Sequence, residues 1–514
     1  MDLQRHDQTG DRHAYKLGEK LTDTQERRIH RLVRRYDDVL AVSFEEIKGA
    51  RMTYKHSIDT GDSAPVKQAP YCLPPHYKQW VREEIQQMLK SGIIRPSRSP
   101  WASPIVIIPK KNGKGGLEPR MCVDYRELNK RTKKDAFPIP RISDILEYML
   151  PRVGFFSTFD LFMGYNQVGM DEDAVSKSAF VTPDGQYEFT RMPFGPTNAP
   201  ATFQRAMNEV FADMIGHGLY VYIDDVTVYS ETFEQHMVLL EEFFRCLRRY
   251  RLFIKPKKCT IAAREVDLLG HLITQEGVKP SPSKIKAIAD YPRPTNKTEL
   301  RAFLGIIGYY RGFIANCSRK IEPLSRMLKD HIPFTWDAEG KQEETFILIK
   351  QMLMDEENLL IRPDFTKKFI LQTDASALGL GAVLCQMVDG KERPIAYASK
   401  RTSRTEAAYG SSQLEILAVC WAIEHFKHYL AGAPFILVAD HAPLKQLISL
   451  KDPKGIIARY IMRLMPYDID LKIKKGLKHQ NANALSRTPH NQPHHVDYYI
   501  ERLPKHQRML EEGF

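Results

Sequence analysis

The stretch YVYIDDVTVYS, residues 220–230, decides how this sequence is interpreted. β-Branched and aromatic residues surround the acidic pair Asp224 and Asp225, and this pattern predicts a β-hairpin with both carboxylates at or near its turn. Adjacent carboxylates repel each other, so holding them together without a cation costs stability. A bare pair of aspartates is nevertheless more often a solvated turn. The pair therefore needs further acidic partners before it indicates a site.

A third acidic residue, Asp160, lies near the end of the predicted strand FFSTFDL, residues 155–161. Phosphoryl transfer on two metal ions, held about 4 Å apart, requires a set of carboxylates of this kind. Mg²⁺ prefers hard oxygen ligands, which aspartate side chains supply. Asp160, Asp224 and Asp225 are therefore candidate metal ligands, with a surface turn as the alternative interpretation of the pair.

Composition narrows the classes of protein. The 514 residues are 43% hydrophobic and 27% charged, which predicts a globular chain of several domains. The net charge of +12 fits a polyanionic partner, nucleic acid first, and fits a merely basic soluble protein equally well. Seven cysteines without a C-x-x-C predict neither a disulfide framework nor a zinc site. No apolar run approaches the roughly 20 residues of a membrane span, and the polar start has no signal peptide, so we expect a cytoplasmic protein.

Local patterns predict several elements outside the hairpin. Helical patterns cover residues 24–36, 76–91 and 411–430, and most of 280–360. Strands are expected at 103–109 and 435–440, and the segments FILQTDAS and LGLGAVLCQM are expected to form two strands joined by a tight turn. The Gly- and Lys-rich segment 110–120 is expected to be a cationic loop.

Seven segments, in order along the chain, resemble the reverse transcriptases of gypsy-type long-terminal-repeat retrotransposons. They are APYCLPPHYKQW (69–80), SGIIRPSRSPWASPIV (91–106), FSTFDLFMGYNQV (156–168), GQYEFTRMPFGPTNAPATFQRAM (185–207), YVYIDDVTVYS (220–230), LLGHLIT (268–274) and LRAFLGIIGYYRGFI (300–314). The ordered set is far more specific than any single motif. The resemblance extends over about residues 50–490.

The resemblance implies an α/β (α+β) chain in which a right-hand polymerase of fingers, palm and thumb precedes a ribonuclease H-like domain. The implied regions are an N-terminal extension (1–50), fingers and palm (51–270), a thumb or connecting region (271–362), the ribonuclease H-like domain (363–490) and a C-terminal tail (491–514). The implied function is DNA synthesis on RNA and DNA templates, with cleavage of RNA in RNA/DNA hybrids.

The resemblance also implies roles for individual residues of the polymerase. Asp160 and Asp224 match the metal-binding carboxylates and Asp225 the third acid. Tyr165 matches the aromatic gate that would clash with a 2′-hydroxyl. The remaining matches are the triphosphate-binding residues Lys110 (with Lys111 as a competitor) and Arg120, Phe194 beside the nucleotide pocket, and Gly270 in the primer-grip segment. The chain departs from the family at Pro196, where leucine is usual, and at Phe162-Met163, where Lys-Ser is usual.

A second acidic set lies in the C-terminal third. LQTDASALGLGAVL (371–384), SSQLEILAVCWAIEHFKHYL (411–430) and LVADHAPLKQL (437–447) resemble ribonuclease H motifs, which makes Asp374, Glu415 and Asp440 candidate metal ligands. Ser412-Gln413-Leu414-Glu415 also fits a capping box, in which Glu415 would only cap a helix. Asn483 stands where the family has an aspartate. Its amide offers an oxygen without the negative charge, so we expect weakened cleavage.

The implied cofactor is Mg²⁺, two ions per active site, with Mn²⁺ as a substitute. The implied partners are RNA/DNA hybrid, DNA duplex, primer, template and dNTPs. The implied location is the cytoplasm, within virus-like particles. The sequence does not decide whether the chain forms a homodimer. The rival hypothesis is a domesticated, non-catalytic nucleic-acid-binding protein. A binding protein has no need of six acids at metal-site positions, which favours the enzyme.

Overall fold

The computed structural model describes residues 13–47, 49–111, 117–140, 145, 153–337, 340–355, 359–439 and 455–473. The chain divides into two compact units, Met1–Ser281 and Pro282–Phe514. Each unit has its own sheets and its own buried apolar clusters.

The first unit contains three sheets and seven α-helices within its described residues. Its strands are β1 (Lys16–Leu17), β2 (Ile94–Pro96), β3 (Ser103–Lys111), β4 (Leu117–Val123), β5 (Phe155–Asp160), β6 (Phe180–Thr182), β7 (Gly185–Phe189), β8 (Leu219–Tyr222), β9 (Asp225–Ser230), β10 (Thr260–Ala263), β11 (Val266–Leu268), β12 (His271–Ile273) and β13 (Val278–Pro280). Its helices are α1 (Asp23–Arg35), α2 (Pro75–Lys90), α3 (Arg126–Arg131), α4 (Gly164–Gln167), α5 (Glu172–Lys177), α6 (Ala199–Val210) and α7 (Phe233–Tyr250). Short 3₁₀ turns lie at Asp37–Val39, Phe44–Glu46 and Pro256–Lys258.

The central sheet of this unit has the strand order β1-β10-β5-β9-β8. One face of β5 presents Phe155 and Phe159 to helix α7, where Phe159 stacks on Phe243 with ring centroids 4.3 Å apart. Both of those rings are fully or almost fully buried. Aromatic packing of this kind, added to the burial of apolar area, fixes the sheet against the helix. The position of Asp160 at the end of β5 follows from it.

Two smaller sheets complete the first unit. One has the order β2-β7-β6-β3-β4, and β3 and β4 form a long antiparallel ladder. The other is the meander β11-β12-β13. The turn between β11 and β12 places Leu269 at φ 50° and Gly270 at φ 81°. Two successive positive φ angles are typical of the two-residue hairpin turn that suits twisted strands.

The second unit is built around one mixed sheet with the order β16-β15-β14-β17-β18. Its strands are β14 (Phe369–Ser376), β15 (Gly379–Val388), β16 (Lys391–Arg401), β17 (Phe435–Ala439) and β18 (Ile469–Ile473). Its helices are α8 (Pro282–Ala289), α9 (Lys297–Tyr309), α10 (Cys317–Lys320), α11 (Glu322–Arg326), α12 (Lys341–Met354), α13 (Arg404–Ala407), α14 (Ser411–His425), α15 (Lys427–Leu430) and α16 (Gly455–Leu464), with a 3₁₀ turn at Arg311–Phe313. Helix α14 packs against β14 through a buried apolar cluster.

Most of the predicted elements are confirmed, including helices at 23–35 and 75–90, the hairpin and the two strands after Lys367. Two expectations need correction, and one strand was not predicted. The predicted helix 411–430 is broken at Phe426 into α14 and α15. The segment 110–120 is not wholly a loop, because β3 continues to Lys111 and β4 begins at Leu117. Strand β16, which is 11 residues long, was not predicted from the sequence.

Three buried histidines of the first unit have strongly lowered pKa values. His236 lies between the hydroxyls of Ser157 and Ser230, at 2.7 and 3.0 Å, and burial lowers its pKa to about 3. Burial also lowers the pKa of His56 and of His271 to about 4. In the folded protein all three are therefore neutral at pH 6, where an unfolded chain would begin to protonate them.

We predict that the unfolding free energy falls as the pH is lowered from 6.5 towards 4. The unfolded chain then binds protons that the folded chain does not, which costs about 1.4 kcal/mol per pH unit for each histidine. Urea unfolding at several pH values measures this slope. His236→Gln should reduce the slope by the share of one histidine, and other groups cancel in the comparison. An equal slope in parent and variant would show that His236 does not titrate as described.

Candidate active sites

The predicted hairpin is present, and it brings the acidic residues together. Strands β8 and β9 pair directly, with Tyr222 opposite Asp225, and Ile223 adopts a left-handed φ of 55° in the turn. On the other side of β9, Asp160 is the cross-strand partner of Asp225. Directly opposite residues in an antiparallel pair lie on the same face with Cβ atoms about 5 Å apart. The sheet thus holds Asp160 beside Asp225.

A buried glutamine holds the strained turn, and sequence analysis missed it. Gln204 of α6 accepts a hydrogen bond from the backbone N–H of Ile223 at 2.7 Å and donates to the carbonyl oxygen of Val221 at 3.2 Å. Its side chain is 1% exposed. A left-handed conformation at a β-branched residue is costly and persists only where its surroundings enforce it. The signal in the sequence was a polar residue inside the otherwise small and apolar run NAPATFQ.

A second buried glutamine holds the loop that follows Asp160. The side-chain amide of Gln167 donates to the carbonyl oxygens of Phe162 and Phe253, at 2.7 and 2.8 Å, and accepts from the N–H of Phe253 at 2.8 Å. Met163, in the same loop, has a φ of 49°. The departure Phe162-Met163 is thus accommodated with Phe162 buried and Met163 in the left-handed region.

The electrostatics of the three acids favour a cation. Loss of hydration around the carboxyl group, followed by repulsion from Asp224 and Asp160, raises the pKa of Asp225 to about 6. The residue as a whole still reaches the surface, so repulsion between the neighbouring acids is the firmer of these causes. The ammonium group of Lys258 lies 2.7 Å from a carboxylate oxygen of Asp160. A positive charge therefore already partners one of the three acids.

The donor set fits a hard divalent cation. It consists of carboxylate oxygens only, and like-charge repulsion within it is relieved by positive charge, as Mg²⁺ requires of its ligands. Among the described residues, no group of three or more His, Cys, Asp or Glu side chains is drawn together closely enough to form a finished ligand set. The backbone places the acids side by side, and the side chains are not gathered around one point.

Next to the acids, three residues that were predicted separately form one stack. The ring of Tyr165 stacks on Phe194 with centroids 4.6 Å apart and an interplanar angle of 27°. The guanidinium carbon of Arg120 lies 5.1 Å from the centroid of the same phenylalanine ring. Burial, with a smaller contribution from Asp224, raises the pKa of Tyr165 to about 12. The stack therefore lies within the field of the metal-site acids and has an exposed cation at its far end.

The remaining polymerase candidates are placed less fully. Lys110 pairs with Glu118 in the β3–β4 ladder, but its side chain lies outside the described residues. Gly270 forms the β11–β12 turn, and its carbonyl accepts a hydrogen bond from the N–H of Ser281 at 2.9 Å. The unusual Pro196 follows Gly195, which has a φ of 107°, and its carbonyl accepts from the N–H of Ala199 at 3.1 Å. Pro196 therefore lies before α6, where its fixed φ and missing N–H do not interrupt the helix.

In the second unit, two of the four acidic-site candidates are described. Asp374 of β14 and Glu415 of α14 are 7% and 6% exposed. The alternative in which Glu415 only caps the helix is wrong, because α14 begins at Ser411 and Gln413 accepts the hydrogen bond from the N–H of Gly410 at 3.2 Å. Glu415 is instead buried within the helix. Asp440 and Asn483 lie outside the described residues, so their roles stay predictions.

Two regions of the chain match known protein families. The family described as "Reverse transcriptase (RNA-dependent DNA polymerase)" matches residues 108–273, which contain the hairpin and Asp160. The "RNase H-like domain found in reverse transcriptase" matches residues 364–467. The chain therefore contains a reverse transcriptase domain, followed by the ribonuclease H-like domain found in reverse transcriptases.

Relatives of this reverse transcriptase are retrotransposon polyproteins. It is 38% identical over 461 residues to the retrovirus-related Pol polyprotein from transposon 297 of Drosophila melanogaster, covering 88% of this chain and 43% of the relative. It is 35% identical over 445 residues to the Pol polyprotein from transposon gypsy of the same fly, covering 84% and 42%. These matches confirm the resemblance to gypsy-type elements. The chain spans less than half the length of either relative.

Solved structures confirm the fold of this reverse transcriptase. A foamy viral protease–reverse transcriptase in complex with double-stranded DNA has a TM-score of 0.78 at 24% identity, covering 89% of this chain and 80% of that one. A second structure from the same virus type has a TM-score of 0.77, covering 89% and 95%. The predicted α/β (α+β) class of polymerase followed by a ribonuclease H-like domain is confirmed. No helix among the described residues is long and apolar enough to cross a membrane. The predicted domain boundaries and site residues stay predictions.

We predict that Gln204→Leu lowers DNA synthesis by about tenfold or more. The change removes the acceptor of the Ile223 N–H and leaves that buried group unpaired, so the strained turn that carries Asp224 loses its support. Primer extension by the purified variant measures the loss, and cleavage of RNA in a hybrid is the internal control. Asn208→Ala is the matched control, because Asn208 only accepts from the amide of Gln204 at 3.0 Å. Full extension by Gln204→Leu would show that the turn does not need this clamp.

Proposed function

We propose that this chain synthesises DNA on RNA and DNA templates and cleaves the RNA strand of RNA/DNA hybrids. The single observation that carries the proposal is the register of the central sheet, which sets Asp160 opposite Asp225 beside the hairpin residue Asp224. A basic chain with a net charge of +12 suits a polyanionic primer–template. The similarity to reverse transcriptases supports the same conclusion.

In the polymerase site, Asp160, Asp224 and Asp225 would hold two Mg²⁺ ions, and Mn²⁺ could replace them. Metal ions bound there would stabilise the attacking 3′-oxygen and the leaving pyrophosphate. The protein supplies the ligand positions, which are fixed by the β5–β9 pairing and by the Gln204 clamp. Lys258 supplies a positive charge at Asp160. Rigid placement of this kind is the main contribution a protein makes to phosphoryl transfer.

The aromatic stack would select and orient the incoming dNTP. Tyr165 presents a ring, held between Phe194 and Phe203, near the acids. A ring fixed on both sides cannot move aside easily, so it would exclude a sugar that carries a 2′-hydroxyl. Arg120, at the end of the stack, would contact the triphosphate through its planar guanidinium group. Lys110 would add a second positive charge.

In the nuclease site, Asp374, Glu415 and Asp440 would hold divalent metal ions across the scissile phosphate of the RNA strand. The two described acids come from the central strand and from the helix packed on it, which gives both a rigid support. Asn483 would complete the set with a neutral oxygen, so cleavage should be weaker than with four acids. We include in this proposal that the chain acts on hybrids in the cytoplasm, within virus-like particles. Formation of a homodimer is part of the same proposal.

The rival function is nucleic-acid binding without catalysis. It explains the positive charge but not the raised pKa of Asp225, since three facing carboxylates weaken the binding of a polyanion. The two hypotheses differ in whether each acid is needed for turnover. Paired substitutions in the two sites separate them.

We predict that Asp224→Asn lowers DNA synthesis by about 100-fold or more and leaves hybrid cleavage unchanged. We predict the converse for Asp374→Asn. Loss of one ligand removes charge stabilisation in the transition state of only the site that contains it. Primer extension and hybrid cleavage are measured on the same preparations, with the exposed Asp213→Asn as the control for losing an acid. If both variants synthesise DNA and cleave RNA normally, the chain uses other groups or is a binding protein.

We predict that Tyr165→Ala relaxes the discrimination between dNTP and rNTP. The substitution removes the ring but keeps Phe194 and Phe203, so the pocket widens at the sugar. Single-nucleotide incorporation gives the ratio of kcat/KM for the two substrates, which should fall by about tenfold or more. Phe194→Ala is the neighbouring control and should impair incorporation of both nucleotides. A ratio that stays at the parental value would leave Tyr165 a packing residue only.

A further inference from the structure

The segment that precedes the ribonuclease H-like match is docked on the edge of the nuclease sheet. Strand β16 is an edge strand, and the carbonyl oxygen of Ser399 accepts hydrogen bonds from Arg311 at 2.7 Å and from the Ser318 hydroxyl at 3.0 Å. The N–H of Ser318 donates to the hydroxyl of Ser399 at 3.0 Å. These bonds satisfy the backbone of an edge that would otherwise be open. Helix α10, residues Cys317–Lys320, is thereby fixed on the sheet.

The docking point lies in the same row of the sheet as a nuclease acid. Ser399 is the cross-strand partner of Gly381, and Gly381 is the partner of Asp374. Side chains of directly opposite residues lie on one face, and the middle residue has no side chain. Ala315 packs on that same face, against the cluster that contains Ile370 and Val383. Because Gly381 has no side chain, there is a gap on this face between Ser318 and Asp374. A long side chain from the docked segment can cross it.

Arg319 has a side chain long enough to cross this gap. It follows Ser318 directly, and its side chain is partly buried. Burial lowers the pKa of Arg319, and the charge of Asp374 acts in the opposite direction, which places the guanidinium near that carboxylate. The group is a cation held close to an acidic centre by a segment that is itself hydrogen-bonded to the sheet.

A guanidinium in this position suits a phosphodiester. Its planar fork matches two phosphate oxygens, and it stays charged at every pH at which the protein is folded. A cation that is fixed before the substrate arrives needs no reorganisation when charge accumulates.

We propose that Arg319 binds a phosphate of the RNA strand in the nuclease site, so that residues before the ribonuclease H-like match supply part of its substrate-binding surface. The inference rests on the proposed nuclease function of Asp374 and its partners. It assigns to the connecting segment a role in the recognition of the RNA/DNA hybrid. The bland alternative is that Arg319 only positions Asp374.

The test uses the full chain and RNA/DNA hybrids in which one RNA linkage at a time is a neutral methylphosphonate. Competition binding is measured in Ca²⁺, so that this arm does not depend on cleavage. With the unaltered chain, one linkage position should weaken binding by about tenfold, the effect of losing a charge-assisted hydrogen bond. Arg319→Gln should remove the difference at that position alone. Arg326→Gln, an exposed arginine of α11 (Glu322–Arg326), should retain it.

Single-turnover cleavage in Mg²⁺ is the second arm. Arg319→Gln should lower cleavage by about tenfold, Arg319→Lys should recover part of the loss, and primer extension should not change. An Arg319→Gln binding profile identical to that of the parent overturns the inference, even where cleavage falls, because Arg319 then acts only through Asp374. Asp374→Asn tests the nuclease function separately. If that variant cleaves normally, the proposed function fails, while the binding profile still decides whether Arg319 contacts phosphate.

Discussion

Repulsion between the carboxylates where β5 ends and β9 begins is the constraint on which the first unit depends. The sheet register places Asp160 and Asp225 opposite each other, and the hairpin turn adds Asp224. Repulsion of this kind works against folding, so the surroundings must supply the stability. The stacked rings of Phe159 and Phe243 fix one side of the sheet, and the amides of Gln167 and Gln204 fix the two loops that carry the acids. A cation bound at these acids would relieve the remaining repulsion.

The second unit also contains acidic side chains whose charge must be compensated. Asp374 and Glu415 are only 7% and 6% exposed, so keeping either carboxylate charged carries a desolvation cost. The compensating charge comes from outside the ribonuclease H-like match, from Arg319 on a segment hydrogen-bonded to Ser399. The same carbonyl that closes the edge of β16 therefore also fixes the segment that carries this cation near Asp374. Edge protection and charge compensation are linked in one short stretch of chain.

Much of the fold and of the candidate sites could be predicted from the sequence. The features that could not be predicted were missed for physical reasons. The Asp224–Asp225 hairpin and Asp160 were predictable because alternating β-branched residues mark the strands and carboxylates mark the chemistry. The contacts of Gln204 and Arg319 were not, because a polar residue in an apolar run and a cation in a basic chain have no visible partner until the chain folds. The break at Phe426 was hidden by a continuous helical pattern. The capping alternative for Glu415 arose because the sequence offers Ser412 as a cap, whereas the helix begins at Ser411 with Gly410 as its N-cap residue. The structure adds nothing to the predicted roles of Asp440 and Asn483, because both lie outside the described residues.

We propose above all that the polymerase acids are held against their own repulsion so that a divalent cation can bind there. The direct measurement is the pKa of Asp225, from ¹³C NMR of aspartate-labelled protein, with and without Mg²⁺. Without Mg²⁺ the carboxyl should titrate near pH 6, and saturating Mg²⁺ should lower its pKa below the ordinary value of 3.8. A pKa near 3.8 that does not respond to Mg²⁺ would contradict the account, because the acids would then be neither crowded nor bound to the cation.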